Sequence, residues 1–209
     1  MRTADLMTLM QWLSPSYPVG AFAYSHGLEV AMADGRVRDA ATLQDWLEDL
    51  LRFGTGRTDA ILLRAAYKGE PEADATARAF AASAERLQEG LMQGAAFAKT
   101  TRDVWGVDVP DAMYPVAVGC AAAARALPVE ETVTLYLQAF VSNLASAAVR
   151  TVPLGQTDGQ AVVAALAPLC ADVAETTRGA GLDDLTSTAF LSDIAAMRHE
   201  TLQPRIYRT

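Results

Sequence analysis

Apolar positions recur at helical spacing along most of the 209-residue chain. The clearest run holds Leu43, Trp46, Leu47, Leu50 and Leu51 at steps of three and four, with Asp45, Glu48, Asp49 and Arg52 on the opposite side. This pattern predicts an amphipathic helix. Asp39 or Thr42 can supply its N-cap oxygen, and Gly54 and Gly56 tolerate the positive φ angles that end it. The pattern resumes over residues 58–67 and stops at Lys68-Gly69, after which Pro71 suits the first turn of another helix. Residues 72–104 are rich in Ala, Leu, Glu, Gln and Arg, with Gly90 and Gly94 as the only breaks, so they predict either two helices or one bent one. Further helices are predicted over 111–126, 130–149, 160–177 (bent or interrupted at Pro168) and 183–197. No run alternates as a strand would. The fold class is therefore all-α: a single compact, alanine-rich helix bundle spanning residues 1–209, with 198–209 expected as a flexible C-terminal tail.

Composition narrows the function classes. Hydrophobic residues make up 51% and charged ones 20%, a balance that excludes disorder, and roughly a fifth of the chain is alanine, which lets helix axes approach closely. A net charge of −8 disfavours phosphate backbones and acidic lipid surfaces, so neither nucleic acid nor membrane is expected as a partner. Cys120 and Cys170 lie far apart with no paired spacing, as in a reducing, cytoplasmic setting. The N-terminal residues carry an acid before a short amphipathic run ending at Pro15, unlike a signal or transit peptide. The most membrane-like stretch by eye, residues 112–127, is too short to span and carries Arg125.

Catalytic chemistry is sparse. The chain has two histidines, His26 and His199, no metal-protease motif, and no cysteine with a nucleophile's neighbours. Scattered imidazoles and thiols do not make a nickel or zinc donor set, so no metal or cofactor is expected. Ser25 and His26 are adjacent and would point about 100° apart on a helix, which prevents them from acting as a nucleophile–base pair. Two segments stand out. The first, Leu13-Ser14-Pro15-Ser16-Tyr17-Pro18-Val19-Gly20-Ala21-Phe22-Ala23-Tyr24-Ser25-His26-Gly27-Leu28-Glu29, crowds aromatic and ionisable groups after a proline-fixed bend. Its contents suit a subunit contact or a small polar site, and an enzyme using Tyr24, His26 and Glu29 is the alternative reading. The second, Pro153-Leu154-Gly155-Gln156-Thr157-Asp158-Gly159-Gln160, lacks the Gly-Lys-Ser/Thr of a phosphate loop and reads as a stop, a turn and a cap. Gln156 and Gln160 bracket it, as either an open polar site or a hydrogen-bonded network.

The first segment resembles the N-terminal signature of the UreF family of urease accessory proteins. Arg150 and the block Pro153-Leu154-Gly155-Gln156 through Gly159-Gln160 are similar to that family's Arg-x-x-Pro-Leu-Gly-Gln motif, and Met197-Arg198-His199-Glu200-Thr201 to its tail. Position 26 carries His where the family often has Gln, and Pro204 and Thr209 depart from the family's tail, while Arg205 and Arg208 keep its two arginines. The resemblance implies a non-enzymatic, all-α homodimer that binds a UreD-type accessory protein (UreH in some species) and recruits the GTPase UreG to load nickel into apo-urease. It implies partner-binding roles for Tyr24, Ser25, His26, Glu29, Arg150, Gln156, Gln160, His199, Glu200, Arg205, Tyr207 and Arg208. A dimer contact built on Phe22, Tyr24 and Leu28 fits the apolar density of the first segment.

Overall fold

The computed structural model describes residues 1–209, and its regular elements are all helical. Helix α1 (Thr3–Trp12) leads through the Pro15–Pro18 bend and a 3-10 turn (Ala21–Ala23) into the short α2 (Leu28–Ala33). Then come α3 (Ala40–Phe53), α4 (Thr55–Lys68), α5 (Ala73–Ala79), α6 (Ala84–Trp105), α7 (Tyr114–Ala124), α8 (Val129–Thr151) and α9 (Gln156–Thr176). A second 3-10 turn (Leu182–Asp184) precedes α10 (Phe190–His199), and an irregular segment closes the chain.

Local chemistry sets most of these boundaries. Asp39 caps α3: its Oδ1 accepts the Thr42 N–H at 2.9 Å, and Thr42 Oγ1 accepts the Asp39 N–H at 3.1 Å. The α3 face predicted from spacing is buried at Leu43, Leu47, Leu50 and Leu51, each worth about 1.5–3 kcal/mol of transfer free energy. Residues 72–104 form two helices, and the break lies at residues 80–83, where Ser83 Oγ accepts the Arg86 N–H and starts α6. Gly90 and Gly94, read above as breaks, sit inside α6 as contact points: a Cβ on Gly94 would lie 1.8 Å from the Ala112 carbonyl oxygen just before α7. Helix α9 runs through Pro168 without interruption.

Helix α8 organises the interior. It packs along α9 and also meets α2, α3, α4 and α7, burying Val133, Leu137, Val141 and Leu144 completely. By length and composition α8 could cross a membrane, and half of that stretch is buried inside the fold as core. It therefore exceeds residues 112–127, now α7, in apolar length. Helix α7 is held between α4 and α6, where Gly119 keeps its backbone against the Leu63 carbonyl. At one end an aromatic brace of Trp12, Phe97, Trp105 and Tyr17 joins α1 to α6, and the Tyr17 hydroxyl meets Thr101 Oγ1 at 2.8 Å. Buried Arg64 on α4 donates to both Glu130 carboxylate oxygens and to the Ala174 carbonyl, tying α4 to α8 and α9.

Helix α10 is turned inside out relative to an ordinary surface helix. Ser192, Ala195, Ala196 and His199 face the body, while Phe190, Leu191, Ile194 and Met197 are half or more exposed. The cause is a close crossing with α2. Gly27, at φ +76°, brings its backbone so near that a Cβ would sit 2.5 Å from the Ala196 nitrogen, so only small residues can lie beneath α10.

The glycine contacts give a stability test. Gly94→Ala should lower unfolding free energy by about 2 kcal/mol or more, because the obstacle is backbone. Gly90→Ala meets only the flexible Met113 tip and should cost less. Urea denaturation of both variants, with circular dichroism as readout, checks the order.

Candidate functional site

The residues singled out from the two segments and the tail come together around one buried carboxylate. Left-handed His26 and Gly27 reverse the chain after the 3-10 turn and open α2, placing Glu29 in its first turn, facing inward. Glu29 Oε1 accepts the Ile206 N–H at 2.7 Å, and Oε2 accepts the Tyr207 N–H at 2.9 Å. His199, fully buried at the end of α10, places Nε2 3.1 Å from Glu29 Oε2 and Nδ1 2.7 Å from Glu85 Oε2 on α6. Arg205 donates to the other Glu85 oxygen, and Glu200 accepts the Ala84 N–H at the start of α6. The segment then runs beside residues 23–26: Arg208 N–H donates to the Ala23 carbonyl, and Ser25 donates to the Thr209 carbonyl through both N–H and hydroxyl. Tyr207 inserts its ring, its hydroxyl donating to the Ala147 carbonyl on α8, with the Arg150 guanidinium 5.2 Å above the ring centre.

Thr209 links this cluster to a second one. Its hydroxyl donates to Glu89 on α6, which also accepts from Gln93 and Arg86. Burial alone would raise the Glu89 pKa, but Arg86 and His26 outweigh it and hold the carboxyl at about 2. Burial and then Arg86 push the His26 imidazole down, with Glu89 opposing, and His26 Nε2 lies 2.7 Å from Glu89 Oε1. Arg86 Nη1 lies 3.1 Å from the same nitrogen, and His26 Nδ1 is without a partner.

These side chains border a cavity of about 370 Å³ between the 3-10 turn, α4, α6, α7, α8 and the start of α9. Asp59 on α4 also lines it, accepting the Tyr136 hydroxyl at 2.7 Å, and burial raises its carboxyl to about 6. No three His, Cys, Asp or Glu side chains converge as a metal donor set. Both carboxylates already hold protein donors.

Sequence and structure part company at several of the expected positions. Tyr24, Ser25, His26 and Glu29 are buried in a bent loop and a helix start, not displayed along one helical turn. Tyr24 turns its hydroxyl toward Met92 Sδ, His26 is directed to Glu89 and Glu29 to His199, so the three do not converge as a catalytic group. Leu28 is fully buried and Tyr24 nearly so, leaving only Phe22 of the expected apolar trio exposed; the large exposed apolar face is on α10. Gln156 and Gln160 are exposed and line the cavity, and neither side chain belongs to an internal hydrogen-bonded network. Arg198 and His199, expected within a flexible tail over 198–209, form the end of α10; residues 200–209 are irregular and lie folded against α2, α6 and α8, with Tyr207 and Thr209 buried and Arg205, Ile206 and Arg208 exposed. Asp59, Glu85, Arg86 and Glu89 were not anticipated. Their helices read as ordinary charged surface, and only tertiary packing turns those faces inward.

The structure is an all-α bundle whose buried polar residues tie down its own C-terminal segment. The UreF family model matches residues 37–167. Proteins named urease accessory protein UreF are similar over nearly the whole length. The one from Roseobacter denitrificans is 56% identical over 213 residues, covering 100% of this chain and 96% of its own. Those from Cereibacter sphaeroides strain KD131 and Ruegeria pomeroyi are 56% and 50% identical, covering 99% and 98% of this chain and 100% and 97% of theirs. The chain belongs to the UreF family of urease accessory proteins, a family that is generally not catalytic.

Two outcomes follow from the site. Glu29→Ala leaves a buried imidazole and two backbone N–H groups without an acceptor, and should cost about 3 kcal/mol in urea unfolding while opening the chain to trypsin at Arg205. Asp59→Asn should act with pH. An aspartic acid whose pKa rises on folding favours the fold while protonated, fully below pH ~4, and that contribution is lost as pH rises through about 6. The asparagine variant should therefore be more stable than the parent by about 1–2 kcal/mol at alkaline pH, since water in the cavity screens part of the effect, and gain little in acid. Thermal melts across that range check the sign.

Proposed function

We propose that the chain works in the cytoplasm as a homodimeric scaffold of urease maturation, bridging a UreD/UreH-type accessory protein and the GTPase UreG so that nickel reaches apo-urease. The observation that carries this reading is the outward apolar face of α10, Phe190, Leu191, Ile194 and Met197, beside a C-terminal segment pinned at its backbone and open at its side chains. A second copy fits the α10 face, because large apolar side chains without a partner on a soluble bundle favour self-association. The UreD/UreH-type partner fits the surface of exposed Phe22, Ile206 and Arg208. Buried Tyr24, Ser25, His26, Glu29, His199 and Tyr207 then serve binding indirectly, by positioning that surface. Exposed Arg150, Gln156, Gln160, Glu200, Arg205 and Arg208 are the groups a partner can touch. Nickel is cargo of the assembly, and the chain itself needs no cofactor.

Three variants separate these roles. Ile194→Glu should convert the dimer to a monomer in sedimentation at micromolar concentration; a protein that is already monomeric as wild type refutes the dimer. Ile206→Glu should keep melting behaviour yet fail to co-purify with the UreD/UreH-type protein and UreG in the presence of GTP and nickel. Replacing both Gln156 and Gln160 by Ala should leave stability within about 0.5 kcal/mol and weaken the same assembly, since neither amide bonds within the fold. Unchanged complex formation by the last two removes the partner-binding reading.

A further inference from the structure

The environment of His199 has a consequence beyond holding α10 in place. The ring is fully buried, and each nitrogen faces a carboxylate: Nε2 faces Glu29 from α2, and Nδ1 faces Glu85 from α6. The surrounding bonds set both carboxylates as acceptors: Glu29 accepts backbone N–H groups on both oxygens, and Glu85 accepts the Arg205 guanidinium on its second oxygen. With an acceptor facing each ring nitrogen, the geometry suits a ring that carries both protons, the imidazolium. A neutral ring has one N–H and one lone pair, and would set that lone pair against a carboxylate oxygen.

We propose that the C-terminal segment is a proton-operated strap, docked while His199 is charged and released when His199 loses its proton. The coupling runs through Glu29, whose two oxygens hold the backbone of Ile206 and Tyr207 as well as the ring. Losing the imidazolium leaves buried Glu29 and half-buried Glu85 with one ring N–H between them. Arg205 is the remaining cation on this cluster; Arg198 of the same helix end is engaged by Asp34, Glu200 turns to the α6 N-terminus, and Arg86 is committed to Glu89 and its neighbour His26. Because the docked state binds the proton, docking weakens as pH rises. The inference concerns the chain alone, and holds whether or not a partner meets the segment.

Hydrogen exchange at the Ile206 and Tyr207 amides, corrected for intrinsic rates, reads the strap directly in the full chain. Protection should fall by about tenfold or more between about pH 6 and about pH 9 while the core helices stay protected. Glu85→Gln offers an amide N–H to the Nδ1 lone pair, so the neutral ring fits, and protection in this variant should stay constant across the same range. His26→Gln removes the only other imidazole and should leave the fall intact. Constant protection in the parent chain, a fall that persists in Glu85→Gln, or a fall abolished by His26→Gln each overturns the proposal.

Discussion

The carboxylate of Glu29 is the constraint on which the working end of this molecule depends. A buried negative charge is costly unless its lone pairs are filled, and Glu29 fills them with the His199 ring and two peptide N–H groups from the far end of the chain. One side chain from the start of α2 thereby fixes the end of α10 and the path of the last residues. The left-handed turn at His26 and Gly27 is what aims it inward.

The same constraint decides how α10 is presented. With His199 anchored and Gly27 pressed against Ala195 and Ala196, the helix can bury only its small side, and Phe190, Leu191, Ile194 and Met197 are turned to solvent. In a free-standing monomer this arrangement gives up burial of four large side chains. That face is an apolar patch which the single chain leaves uncovered.

The α3, α4, α7, α8 and α9 packing is held by apolar faces, by the glycine contacts at Gly94 and Gly119, and by the Arg64–Glu130 pair. The polar groups belonging to the family pattern gather around the cavity and the C-terminal segment. Membership of the UreF family defines the protein as a urease accessory factor.

Helical periodicity and capping were legible in the chain itself because they are local. Leu43 to Leu51 recur every three or four residues, Asp39 precedes them with a capping oxygen, and an α-helix has to bury the stripe that results. The Pro-Val-Gly-Ala-Phe and Pro-Leu-Gly-Gln motifs were legible for the same reason, and with them the family. What the sequence could not specify were relations between residues far apart in the chain. Gly90 and Gly94 read as helix breaks because the carbonyl of Ala112 that requires them lies outside any local window. The tail read as flexible because it has no apolar period of its own, whereas its order comes from Ser25, Glu29, Glu85 and Glu89, which lie between 114 and 184 residues from their partners. Helix propensity and hydrophobic spacing are encoded residue by residue. The pairing of a buried charge is decided only when the helices that carry its donors have come together.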